Sequence, residues 1–130
     1  MADHKLVFEG NSRENLRYHA LNTFLLLMKY FDTDVICINP APYKTADIRV
    51  NGVEWEVKSP KGDDRNTIEN ILHKASRQST NVVLDLSRTK MSNTRALSRT
   101  KHYLHDNKHY LQRLLIILKD GTIIDLKDDL

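Results

Sequence analysis

The sequence predicts an α/β protein folded as one domain over residues 1–130, on a mixed sheet: an αβββαβ core, then a helix and a C-terminal β-hairpin. Three observations carry this. Apolar residues recur at helical spacing in three separate stretches, short β-branched runs stand between them, and two pairs of runs flank the turn dipeptides Asn51-Gly52 and Asp120-Gly121. Hairpins pair strands antiparallel and helical crossovers pair them parallel, so a chain carrying both builds a mixed sheet. A length of 130 residues, 40% of them hydrophobic and 28% charged, suits a single globular core.

The first helix is expected over residues 12–31. Ser12 or Asn11 can cap it, and Leu16, Ala20, Leu21, Phe24, Leu27, Met28 and Phe31 give it a broad apolar face. Val35-Ile36-Cys37-Ile38 reads as a strand, closed by a loop at Asn39-Pro40-Ala41-Pro42. In residues 46–58 two alternating runs flank Asn51-Gly52, suited to a type I′ turn in which both central residues take φ > 0. Pro60 and Gly62 stop the second of these strands, and Ile68, Ile71, Leu72 and Ala75 mark a helix over residues 67–79. Residues 81–86 form a near-continuous apolar run of the kind buried on both faces. A third helix, about residues 93–109, shows only a thin apolar face of Ala96, Leu97, Tyr103 and Leu104; residues 114–118 and 122–124 make the closing hairpin.

The chain carries 20 Lys+Arg against 17 Asp+Glu, a net charge of +3 that hides an asymmetry. Residues 58–119 hold 13 Lys+Arg and 5 Asp+Glu, a balance of +8; the remainder holds 7 and 12, a balance of −5. A basic block of this kind suggests a polyanionic partner, nucleic acid first, with a solvated helix surface as the plainer alternative. No apolar run approaches a bilayer span, and Asp3, His4, Lys5 and Glu9 leave no signal peptide in the first ten residues. The lone Cys37 excludes an internal disulfide framework and a multi-cysteine zinc site.

The first hairpin fixes its own pairing. Counting outward from Asn51-Gly52, Val50 faces Val53, Arg49 faces Glu54, Ile48 faces Trp55 and Asp47 faces Glu56. Alternation puts Ile48, Val50, Val53, Trp55 and Val57 on one face and Asp47, Arg49, Glu54, Glu56 and Lys58 on the other. An exposed strand face laced by salt bridges such as Arg49–Glu54 would explain most of the second set, but it has no use for two facing acids. Directly opposed Cβ atoms lie roughly 4.5–5.5 Å apart, so the Asp47 and Glu56 carboxylates repel unless a metal, a proton or a cation compensates. Two such carboxylates can hold Mg²⁺, a hard cation that keeps several waters, and Lys58 beside them can stabilise charge at a phosphorus centre or orient a nucleophile.

Asp47 followed by Glu56-Val57-Lys58 in this frame resembles the PD-(D/E)XK nuclease superfamily over residues 10–86. That resemblance implies that Asp47, Glu56 and Lys58 are the metal-binding and catalytic set, with Asp47 and Glu56 as metal ligands. It implies Glu14, at the start of the first helix, as an additional acid, and Gln78 near the metal site. Ala46 stands where the superfamily often has proline. A second resemblance runs from residue 46 to about 125. Trp55-Glu56-Val57-Lys58-Ser59-Pro60-Lys61-Gly62, Ala75-Ser76-Arg77-Gln78-Ser79, residues 81–86, Arg88-Thr89-Lys90 and Lys119-Asp120-Gly121 are similar to the C-terminal tRNase domains of contact-dependent growth inhibition (CdiA) toxins. This implies a nuclease acting on tRNA in the cytoplasm of a target bacterium after delivery, an immunity protein that restrains it, and for some members a host translation factor. Some toxin tRNases have a metal-free barnase-like fold, which leaves Mg²⁺ and a metal-free mechanism both open.

Arg77, Arg88, Thr89, Lys90 and Lys61 are the expected phosphate contacts, those after residue 86 standing at the carboxyl end of a buried strand, where open α/β sheets place ligands. Arg95, Arg99 and His102 make one stripe on the third helix, suited either to a phosphate backbone or to solvent. His73 reads first as a plain helical histidine, with general base of a metal-free reaction as the alternative. His102 and His105 lack a third zinc ligand, Trp55 and Cys37 read as core, and Asp85, inside an apolar strand, needs a buried partner. Together these favour a ribonuclease for tRNA, with a Mg²⁺-dependent DNase of a mobile element and a non-catalytic nucleic-acid-binding domain as rivals.

Overall fold

A computed structural model describes residues 3–39, 46–107 and 110–127. The elements follow in chain order as β1 (Leu6–Phe8), α1 (Tyr18–Phe31), β2 (Val35–Cys37), β3 (Ile48–Val50), β4 (Val53–Lys58), α2 (Thr67–Ser76), β5 (Asn81–Asp85), α3 (Asn93–Asn107), β6 (Arg113–Ile117) and β7 (Ile123–Asp125). Seven strands form one sheet in sequence order, parallel where a helix intervenes (β1–β2, β4–β5, β5–β6) and antiparallel elsewhere. The fold is therefore the mixed α/β class expected, with the hairpins and crossovers where the turn dipeptides and helical periods put them.

Alternation divides the core. On one face α1 buries Phe24 and Leu27 against Ile48, Val50, Trp55, Val83 and Leu115. On the other, α2 and α3 bury Ile68, Leu72, Ala96 and Leu104 against Val82, Leu84, Leu114 and Ile116. Val82, Val83 and Leu84 thus serve both layers, which is why β5 reads as a continuous apolar run. Asn51 and Gly52 take φ of 51° and 80°, as a type I′ turn requires, and the counted register holds at Val50–Val53, Arg49–Glu54 and Ile48–Trp55. Arg49 pairs with Glu54 at 3.5 Å, and also with Glu9 at 3.0 Å.

Three expectations need correction. The first helix begins at Tyr18 rather than at residue 12, because residues 11–16 close tighter i→i+3 bonds: Glu14 N–H to Asn11 O, Asn15 N–H to Ser12 O and Leu16 N–H to Arg13 O. Strand β1 is absent from the expected order; three residues are too few to display alternation, and its pairing with β2 is a tertiary fact. Helix α2 stops at Ser76, short of residue 79. The Pro40-Ala41-Pro42 loop and the last two residues of the expected third helix lie outside the described residues.

Candidate active site

The site grows from the end of the first hairpin. Beyond the Ile48–Trp55 pair, Asp47 N–H still bonds to Trp55 O at 3.0 Å, while Val57 N–H turns to the Asp47 carboxylate, donating to Oδ2 at 2.8 Å. Asp47 thereby replaces a rung of the ladder with its own side chain and is fixed against β4. Glu56, the β4 residue between Trp55 and Val57, is only 1% exposed. Lys58, two residues on, places Nζ 3.1 Å from Glu56 Oε2, but Glu56 Oε1 is buried without a hydrogen-bond partner.

Burial, then the neighbouring carboxyl of Asp47, push the Glu56 carboxyl up to about 8, with Lys58 opposing. At neutral pH the pair accordingly holds a proton, as two close carboxylates must when no cation separates them. The same donors fit a hard divalent ion. They are all oxygen, one atom is buried and unsatisfied, and the sharing proton occupies the electrostatic role a cation would take. No cluster of three or more His, Cys, Asp or Glu suited to a metal occurs among the described residues, so water and substrate oxygens would complete the shell. That is the habit of Mg²⁺ rather than of a structural zinc.

A cavity of about 290 Å³ opens beside Asp47 and Lys58, at the carboxyl ends of β2 and β4, with Glu56 outside its lining. Asp47, Val57, Lys58 and Ser59 form one wall; α1 and the turns before it form the other, with Ser12, Asn15, Arg17, His19 and Thr23. Thr23 Oγ1 donates to Asp85 Oδ2, and Ser87 N–H donates to Asp85 Oδ1 at 2.9 Å. The buried acid of β5 thus pins α1 to the sheet and shapes the loop that carries Arg88. His19 is lowered from the ordinary imidazole range by burial first and by the charges of Arg88 and Arg17, with Asp85 opposing. Cys37, on the cavity floor, is raised to about 11 by burial and by Asp47, so it stays a thiol and packs as core.

Of the expected residues, the structure brings Asp47, Glu56 and Lys58 together. Glu14 lies on the exposed turn before α1, outside the cavity lining. Arg77 and Gln78 follow α2 to the amino end of β5, where Ser79 and Asn81 bond to Glu54 O, the opposite end of β4 from Lys58. That sets Gln78 away from the acids it is expected to stand beside, and Arg77 with it: a crossover helix returns the chain to the far edge before the next parallel strand. Arg77 instead sits 3.1 Å from His73 Nε2 on the surface of α2. Thr89 is 4% exposed, and its hydroxyl, expected on phosphate, bonds to Gly62 O at 2.6 Å and to Met91 N–H at 3.1 Å. Lys61 and Lys90 are exposed and Arg88 half-buried. Trp55 is core, stacked by Arg113 at 4.9 Å. His102 and His105 are exposed beside Asp106, and Arg99 lies 3.9 Å from Glu69.

Ser12, Arg17 and His19 escape sequence reasoning because a helix starting at residue 12 puts them on its surface. One signal does point to the pocket: Thr23 interrupts the Leu16-Ala20-Leu27 stripe with a hydroxyl, and Asp85 interrupts an apolar strand with an acid. Each is the partner the other lacks.

Comparison with known proteins agrees with this architecture. Residues 44–123 match the family described as the contact-dependent growth inhibition CdiA C-terminal domain, more than half of the chain. Among solved structures, the chain is similar to a CdiA-CT/CdiI toxin and immunity complex from Burkholderia pseudomallei, with a TM-score of 0.62, 17% identity, and coverage of 93% of this chain and 97% of that one. At that identity the likeness shows the fold alone. No curated protein matches the chain.

Proposed function

The chain belongs to the contact-dependent growth inhibition CdiA C-terminal domain family, and on that premise we propose that it is an interbacterial toxin nuclease that hydrolyses RNA, tRNA first, at Asp47, Glu56 and Lys58. One observation carries the proposal: a buried Glu56 faces Asp47 with an unpaired oxygen while Lys58 holds its other oxygen at 3.1 Å. Folding alone does not select two close acids in a dry site; a cation and an anionic substrate do.

Asp47 and Glu56 would hold Mg²⁺. Bound there, the ion supplies Lewis acidity toward a phosphoryl oxygen and a lowered pKa for water. Lys58 keeps Glu56 Oε2 oriented and presents an ammonium to the oxygens on which negative charge develops at phosphorus. Arg88 and Lys90, on the loop after β5, supply phosphate contacts beside the site, and Lys61 extends the basic surface beyond β4. The similar structure is a complex of a toxin with an immunity protein, which supports an immunity partner for this chain as well. Action in the cytoplasm of the target cell, and recourse to a translation factor there, belong to the same proposal. No helix among the described residues is long and apolar enough to cross a membrane.

The test is to incubate the protein with tRNA or duplex DNA, each with Mg²⁺ or EDTA. Cleavage of tRNA that needs Mg²⁺ and disappears in Glu56→Gln supports the proposal. Cleavage of DNA in preference to tRNA favours the DNase, cleavage undiminished by EDTA discards the metal, and binding without cleavage makes the domain non-catalytic.

A further inference from the structure

The cavity has two chemically different walls, and Asp47 and Lys58 account for only one. The opposite wall is the amino end of α1, a helix of 14 residues whose N-cap, Arg17, makes no side-chain cap, so its first-turn N–H groups lack the usual acceptor. Ser12, 7% exposed, is among the residues that line the cavity beside it, and its buried Oγ has no hydrogen-bond partner. Ser59, across from it on the chain leaving β4, has a buried unpartnered Oγ too.

Charge adds a second, independent reason. Arg17 and Arg88 both act on His19, one from the approach to α1 and one from the loop after β5. Asp85 is the acid that faces them from β5, and its two oxygens are already committed to Thr23 and Ser87. Asp47, just before β3, and Lys58, at the end of β4, face the same space. Arg17 on the cavity wall, the charge of Arg88 from the neighbouring loop, an uncapped helix end and an unpartnered serine hydroxyl together make an end of the cavity suited to an anion. The volume, about 290 Å³, sits at the lower bound of small-ligand sites and takes a nucleotide-sized fragment rather than a duplex.

We propose that the amino end of α1, with Ser12, Arg17, His19 and Arg88, is a phosphate subsite that holds a phosphodiester of a single RNA strand next to the bond being cleaved. This rests on the nuclease proposal for the substrate class. The Ser12 hydroxyl and the α1 N–H groups donate to the phosphate oxygens, and Arg17 and Arg88 neutralise its charge. His19, held down by burial first and by Arg88 and Arg17 after it, takes up a proton more readily as the anion arrives, because the two cations are then compensated. These residues are positioning and binding groups; the acids and Lys58 remain the reacting end.

The experiment measures binding of a 2′-O-methyl RNA oligonucleotide in EDTA, by fluorescence anisotropy, with His19 followed by imidazole NMR. Ser12→Ala and Arg17→Ala each weaken binding, the arginine change by about tenfold, and the salt dependence becomes shallower by about 0.7 for each phosphate no longer neutralised. The His19 titration moves upward on binding in the wild type. Lys29→Ala, at the far end of α1, retains affinity within about twofold and the His19 response. Full affinity in both Ser12→Ala and Arg17→Ala, or a His19 titration that does not move, overturns the subsite. Inorganic phosphate that shifts His19 as fully as the oligonucleotide at the same concentration reassigns it to a free anion and overturns the strand reading. None of these readouts uses cleavage, so loss of the nuclease proposal would show separately, as tRNA left intact by wild type in Mg²⁺.

Discussion

Replacing Glu56 with glutamine removes a charge and keeps the shape, which makes it the sharpest probe of the acid pair. The amide oxygen can still accept from Lys58 and the amide N–H can donate to Asp47, so the repulsive contact becomes a hydrogen bond. In the wild type the Glu56 carboxyl is pushed up to about 8 from 4.5, by burial first and by Asp47 second. Below 4.5 the residue is protonated in both the folded and unfolded chain and its contribution does not vary with pH. Between 4.5 and 8 the unfolded chain ionises while the folded one does not. Stability falls there by about 1.4 kcal/mol per pH unit at most, and above 8 the loss is complete. Summed over the interval, and reduced because Asp47 shares the proton, the loss is about 3–5 kcal/mol. Glu56→Gln does not titrate and escapes it. Urea denaturation at half-unit steps from pH 5 to 9 should show the variant gaining on the wild type as pH rises, while losing cleavage altogether. Groups away from the Asp47–Glu56–Lys58 cluster are common to both proteins and cancel in the difference. A stability difference that is flat with pH, or one that favours the wild type at pH 9, refutes the account of the buried acid.

The same geometry fixes four further outcomes. At pH 8.5, Mg²⁺ at about a hundred times its dissociation constant should raise the wild-type melting temperature by about 5–10 °C in a thermal scan, and leave Glu56→Gln unmoved. Lys58→Ala should lower tRNA cleavage by about 10²–10³-fold in a single-turnover assay with the fold intact by circular dichroism, since the ammonium acts on charge that develops during the reaction. Asp85→Ala strips acceptors from Thr23 Oγ1 and Ser87 N–H at a residue 3% exposed, and should destabilise by about 2–4 kcal/mol in chemical denaturation. Gly52→Ala meets no atom within 4 Å but sits at φ +80°, so conformational strain alone should lower stability by about 1–2 kcal/mol.

The hairpin and its acids are legible in the sequence because everything that fixes them is local. A turn dipeptide sets the two-residue connection, alternation sets the faces, and counting sets the register out to Ile48–Trp55, beyond which Asp47 bonds back to Trp55 O instead of pairing with Glu56. The buried run of β5 is legible for a similar reason, as residues serving two layers must all be apolar. What escapes the sequence depends on contacts between distant segments. Residues 11–16 leave the helical path although Ser12 and Asn15 look like a cap. Ser12 N–H bonds back to Glu9 O, and Arg13 stacks over Phe8 at 4.6 Å, on a strand too short to recognise. Gln78 and Arg77 are expected near the acids because helix ends look alike in sequence; only the return of the crossover to the amino end of β5 separates them. Thr89 flanked by two cations looks like a phosphate contact, and its hydroxyl is instead spent on holding its own loop.

RNA-end sequencing after brief expression in bacteria tests the central claim most directly, with the wild type and Glu56→Gln compared side by side. The account predicts new ends at discrete positions in tRNA for the wild type and none above background for the variant. Equal end maps from the two proteins, or wild-type ends spread over other RNAs with tRNA intact, would contradict it.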